Sequence, residues 1–208
     1  MARTVDVQSP VQVACMTAAL VAFFGLLRKS NLTTGRRAGT CDMKSLHHNN
    51  ITKNSATELW LTLNFTKTIQ FGERTLNIPI IGIDGSVINP AAWWTLHNQL
   101  SPAPTPNTHA FAHRDASGTM TNLTHTTFVS FTKTMIQTSG LGDPAQFSGH
   151  SYRRGGATFA AACGAPDAWI KAAGDWTSSA YLRYIEISTG LRQSLATKVA
   201  SEAASRRQ

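Results

Sequence analysis

The chain has 208 residues, with 19 Lys and Arg against 11 Asp and Glu, and a formal charge of +8. That length buries a full core without staples, and the positive balance favours a polyanionic partner, most simply nucleic acid, over a basic surface kept only for solubility. Three scattered cysteines, Cys15, Cys41 and Cys163, contain no C-x-x-C pair, which excludes a zinc ribbon or a disulfide framework and fits a reducing intracellular compartment.

In chain order, Ser9-Pro10 reads as a helix start, with Ser at the N-cap and Pro in the first turn. The helix over residues 11–27 is apolar on most sides and should be central. As a signal peptide it reads poorly, because Gln12 and Thr17 interrupt it and Arg28-Lys29 closes it. It is also short for a membrane span. Four N-x-T sequons, at Asn31, Asn50, Asn64 and Asn122, are the number chance gives in a chain rich in Asn and Thr. The expectation is a soluble protein with no membrane partner. Residues 34–40 form a basic loop in which Arg36 and Arg37 are candidate DNA contacts. Residues 58–65 alternate apolar and polar, and residues 75–81 read as a second strand; Lys67 and a turn near Gly72 lie between them.

Asn89-Pro90 opens a helix to about Leu100, with Trp93 and Trp94 in the core. Residues 101–107 are a proline-rich loop inside one domain, residues 110–112 a short strand, and residues 114–119 a turn. Residues 123–138 form an amphipathic helix with Phe128, Phe131 and Met135 on its buried stripe. A small-residue helix runs from His150 to Gly164 and buries Cys163. A short helix over 166–173 stops at Gly174, and a further helix, capped by Ser178 or Ser179, carries Tyr181 and Tyr184. Gly190 breaks the chain before a last helix over 191–204.

Chemistry concentrates in residues 147–185. His150 and Arg153 sit at i and i+3, one face of a helix turn; Gly174-Asp175-Trp176 and then Tyr181 and Tyr184 follow. A guanidinium is a two-pronged donor to phosphate oxygens, and a phenol is a nucleophile. The order H-x-x-R, G-x-W, then Tyr resembles the C-terminal box of the tyrosine recombinases. The wording H-S-Y-R-R-G-G-A-T and A-Y-L-R-Y-I is nearest the eukaryotic mobile-element branch, Crypton-like and DIRS-like. The phrase A-F-F-G-L-L-R-K-S-N-L resembles the family's first box, which makes Arg28 the candidate first catalytic arginine; read alone, Arg28 is better taken as a cation complementing a helix C-terminus. Asn31 stands where many relatives carry a buttressing acid. T-K-T at residues 66–68 resembles the hairpin that bears the family's catalytic lysine, so Lys67 is that candidate.

The resemblance implies an α+β, mostly helical catalytic-domain fold with a small antiparallel sheet on one side. The resemblance spans about residues 10–187, and the expectation is that residues 1–208 form a single catalytic domain without the N-terminal core-binding domain of the family. It implies that Tyr184 attacks a phosphodiester, giving a 3′-phosphotyrosine and a free 5′ end. Arg28 and Arg153 clamp the phosphate, Lys67 protonates the leaving oxygen, His150 is base or relay, and Trp176 supplies an indole donor and bulk. Tyr184 is preferred because it lies eight residues after Trp176, whereas Tyr181 lies five after it and packs or touches a phosphate. Arg154 is expected on the DNA backbone. The implied chemistry needs no cofactor or metal, and no carboxylate cluster suited to magnesium is visible. The implied partner is double-stranded DNA, with self-association into a dimer or tetramer, in the nucleus if the host is eukaryotic. The alternatives are type IB topoisomerase activity and an inactive DNA-binding module derived from a recombinase.

Overall fold

The structure, a computed structural model, describes residues 2–35, 44–66, 69, 73–185 and 189–205, with the backbone alone for residues 180, 183, 184, 189–191, 194 and 195. Helix α1 (Pro10–Phe24) is its axis. Pro10 opens it, where a missing N–H breaks no helix bond; Ser9 holds the N-cap position, but its hydroxyl makes no capping bond. Every residue from 13 to 22 is buried. The polar Thr17 is tolerated there because its hydroxyl donates to Val13 O at 2.7 Å. Burial pushes the Cys15 thiol up to about 12, which makes it a packing group.

Helices α3 (Pro90–Leu100), α4 (His125–Ser139) and α5 (Ser151–Ala162) pack around α1. Asn89 caps α3 by accepting from Ala91 N at 3.1 Å, and Trp93 and Trp94 are buried as expected. Phe128, Phe131 and Met135 form the buried stripe of α4. A three-stranded antiparallel sheet, β1 (Ile51–Lys53), β2 (Glu58–Leu63) and β3 (Leu76–Ile81), lies in the order β1-β2-β3. Register pairs Leu59 with Ile80 and Leu61 with Ile78, so one face enters the core, while Trp60 and Pro79 pair on the outer face. Two short strands, β4 (His113–Arg114) and β5 (Met120–Thr121), pair separately. Among the described residues no helix is long and apolar enough to cross a membrane.

Four expectations need correction. Residues 110–112 form a turn in which Ala112 N donates to His109 O at 3.0 Å; the strand begins at His113. Cys163 is exposed, because it caps the end of α5 instead of lying inside it. The segment Ser179–Tyr184 is a 3₁₀ helix. Gly190 lies inside α7 (Thr189–Ser205), since a helical glycine costs only about 1 kcal/mol against alanine.

Apolar packing divides in two. The main core surrounds α1; a smaller one joins Leu26, Ala157, Ile170 and Tyr181, with Trp176 packed on its edge. Gly156 lets α5 lie against the end of α1: a Cβ there would come within 2.2 Å of Phe23 O. Asn31, Arg153 and Asp175, all buried, lie at the seam between the cores.

The main core also carries a titration. His97 is buried, its Nε2 lies 3.0 Å from Ala110 O, and desolvation lowers its pKa to about 4. With the folded value below the unfolded one of about 6.5, the unfolded chain binds the extra proton between them. Stability is therefore expected to fall by roughly 3 kcal/mol as pH drops from about 6.5 to about 4. Urea titrations at pH 7 and pH 4.5 check this, and His97→Gln, which keeps an N–H donor but does not titrate, should flatten the difference.

Candidate active site

After Phe24 the helix stops at Gly25, and Leu26 turns back at φ 50°. The chain then re-enters a short helix, α2 (Lys29–Leu32), with Arg28 at its N-cap. Arg28 therefore begins a helix instead of ending one, and the helix-dipole alternative loses its premise. The second unusual corner is Asp175, at φ 53°, just after α6 (Asp167–Ala173). Among the described residues these are the non-glycine positions with positive φ, each costing on the order of 1–2 kcal/mol, and both lie at this seam.

Arg153 joins the two corners. Only 4% exposed, it donates Nη1–H to Leu26 O and Nη2–H to Gly174 O, the latter at 2.6 Å. Its guanidinium carbon stands 3.9 Å from the ring centroid of Trp176. Gly174 is required because a Cβ there would fall 1.7 Å from the Trp176 ring. A buried cation is tolerable only with such acceptors and a π face around it. The result is a guanidinium held in one plane.

Arg28 and Arg153 line one small cleft, together with Asn31, Thr66, Gly174 and Asp175. Asn31, where a family acid was the expectation, is buried and donates Nδ2–H to Lys44 O at 3.2 Å and Phe65 O at 3.3 Å. Among the described lining residues the carboxylate comes instead from Asp175, 8% exposed, which accepts from Thr66 Oγ1 at 2.9 Å and pairs with Arg74.

His150, exposed at the start of α5, lies among cations. Its pKa is lowered by partial burial first, then by Lys29, Arg153, His125 and Arg28. The imidazole is accordingly neutral at pH 7, the form that accepts a proton. Sequence reading gave Lys29 and His125 no role, yet Lys29 Nζ is 3.1 Å from His125 Nε2. An ammonium only donates, so His125 accepts, and its own pKa is lowered by burial and by Lys29. Gly149 admits both: a Cβ there would sit 2.9 Å from Lys29 Cδ and 3.0 Å from His125 Cε1. A polar His in the first turn of an amphipathic helix was the available signal.

Arg28, His150, Arg153 and Trp176 thus come together. Tyr181, expected either to pack or to touch a phosphate, is buried with its ring 5.8 Å from that of Trp176, and burial and the Asp167 carboxylate push its phenol up; of the two roles the structure shows the packing one. Arg154 is exposed on α5. The backbone of Tyr184 closes the 3₁₀ helix, and its side chain is not among those described. Lys67, Arg36, Arg37 and the turn near Gly72 lie outside the described residues.

No protein-family model and no curated protein matches the sequence. Among solved structures the chain is similar to the XerH site-specific recombinase, crystallised bound to its difH substrate in a pre-cleavage complex, at a TM-score of 0.57 and 13% identity. The match covers 91% of this chain and 47% of that one, so this chain spans about half the length of its structural neighbour. The fold, helical with a small antiparallel sheet, is that of a tyrosine recombinase structure.

Proposed function

We propose that this protein cleaves and rejoins double-stranded DNA through a 3′-phosphotyrosine intermediate, in site-specific recombination or integration of a mobile element. The observation that carries the reading is the convergence of Arg28 and Arg153, far apart in sequence, on one cleft beside His150 and Trp176. The Arg153 guanidinium, held in one plane before substrate arrives and with Arg28 lining the same cleft, suits the charge that builds on non-bridging oxygens as phosphorus is attacked. His150, kept neutral by partial burial and then by its cationic neighbours, takes the phenol proton of Tyr184. Lys67 protonates the departing 5′ oxygen, and Trp176 holds Arg153 in plane. Arg36, Arg37 and Arg154 contact backbone phosphates, and the protein self-associates on DNA inside the cell. Likeness to a DNA-bound recombinase supports the reading at the level of fold.

The test is a pool of duplexes of random sequence, each nicked so that cleavage releases a short fragment and cannot be reversed. Incubation is expected to leave DNA attached to the protein through SDS denaturation, on the 3′ phosphate, with a free 5′-hydroxyl on the released fragment. DNA retained on native gels but never through SDS would overturn catalysis and leave a binding module.

A further inference from the structure

Lys29, His125 and Gly149 come from three parts of the chain and meet in one place. Lys29 opens α2 directly after Arg28, His125 is the first residue of α4, and Gly149 precedes His150 and α5. Gly149 is buried, and the Lys29 stem lies along it: a Cβ there would come within 3.1 Å of Lys29 Cβ and 2.9 Å of Lys29 Cδ. The stem delivers Nζ to His125 Nε2, 3.1 Å away. Strand cleavage gives neither group a task.

The pair belongs to a concentration of positive charge. Lys29 from α2 and His150 beside α5 face His125, and Arg28 and Arg153 act on His150 in turn. Neither α4 nor α5 has an acidic residue in its first turn, and among the described residues no carboxylate acts on either histidine. The carboxylate of the neighbouring cleft, Asp175, is engaged by Thr66 and Arg74. An ammonium carries three donors, and one imidazole nitrogen takes only one of them. Such a cluster suits a polyanion.

We propose that Lys29 and His125 form a second phosphate seat beside the Arg28–Arg153 cleft, which holds a backbone phosphate of bound DNA and takes up a solvent proton on His125 as it does so. The seat rests on the reading of DNA as the partner and asks nothing of the cleavage chemistry. In the free protein Nε2 accepts from Lys29, so the imidazole proton is on Nδ1. An anionic phosphate oxygen is the stronger acceptor for the ammonium. As Nζ turns to it, Nε2 is released, binds a proton from solvent and donates to the same phosphate. Both members of the pair then make charge-assisted bonds. Partial burial and Lys29 hold the His125 pKa below its ordinary value in the free protein, and an adjacent phosphate raises it. Between the free and the bound value, binding takes up a proton, so affinity rises as pH falls.

The experiment measures binding of the whole chain to duplex DNA of random sequence by fluorescence anisotropy, across salt and pH. Lys29→Gln is expected to reduce the steepness of log K against log [salt] by about 0.9, the amount for one phosphate contact on duplex DNA. Lys53→Gln, at an exposed lysine held by Thr95 of α3, should leave that slope unchanged. His125→Asn keeps an acceptor for Lys29 but does not titrate, and the exposed position tolerates the change. Wild-type affinity should fall about fivefold more than that of His125→Asn between pH 6 and pH 8. A Lys29→Gln slope equal to wild type, or reduced no more than that of Lys53→Gln, overturns the seat. Equal pH dependence in wild type and His125→Asn overturns the proton uptake. DNA held with the expected slope and pH pattern, yet never attached through SDS denaturation, would refute strand cleavage and support the seat. Wild-type protein that binds no duplex overturns both.

Discussion

Tyr184→Phe is expected to abolish covalent attachment to DNA, lowering its rate by at least about 10⁴-fold, while Tyr181→Phe keeps it within a fewfold of wild type. Loss of the nucleophile leaves the phosphate clamp in place, so Tyr184→Phe should still bind DNA with wild-type salt dependence. The two tyrosines differ in environment. Tyr181 is buried on Trp176, and its phenol is pushed up by burial and by Asp167. A phenol made harder to ionise and held inside a packed cluster is a poor attacking group. Tyr184 comes at the close of the 3₁₀ helix, eight residues after Trp176, close to the interval expected of the nucleophile. Rates of SDS-stable complex formation, with native-gel binding of the same variants, separate these outcomes.

Arg153→Lys should fail in two ways at once. The guanidinium spans Leu26 O and Gly174 O while its face rests on Trp176. A lysine keeps the charge but lacks the planar fork, so one of the carbonyls loses its donor, and the turns at Leu26 and Asp175 lose their common tie. A stability loss of about 2 kcal/mol follows from the unpaired carbonyl in a site only 4% exposed. Cleavage should fall by on the order of 10²–10³-fold, as for removal of one preorganised donor. Arg28→Lys is the comparison. Arg28 is half-buried at the N-cap of α2, so its replacement should cost similar activity with little change in the urea midpoint. Equal stability losses for both variants would show that the structural tie at Arg153 has been misjudged.

Much of the fold was legible because its signals are local. The run after Ser9-Pro10, the alternation of Leu59, Leu61 and Leu63 in β2 and the stripe Phe128-Phe131-Met135 each follow from periodicity and caps that a window of residues contains. β1 was missed because three residues are too few to show a period. Arg28 was misplaced on a helix end because the stop at Gly25 depends on Leu26 adopting a left-handed turn, which Arg153 secures from 127 residues away. The candidate site divides along the same line. Arg28, His150, Arg153 and Trp176 were found because each belongs to a short phrase. Asp175 was not, because its partners Thr66 and Arg74 lie 109 and 101 residues back. The Lys29–His125 pair, 96 residues apart, escaped for the same reason. For Tyr181 packing and a phosphate contact both stood open, because burial of an aromatic cannot be read from spacing alone.

The most direct test is to digest the SDS-stable complex and locate the nucleotide remnant by mass spectrometry. The account predicts the remnant on the phenolic oxygen of Tyr184, joined through a 3′ phosphate. A remnant on Tyr181 or any other side chain, or protein that holds DNA yet yields no covalent complex at all, would contradict it.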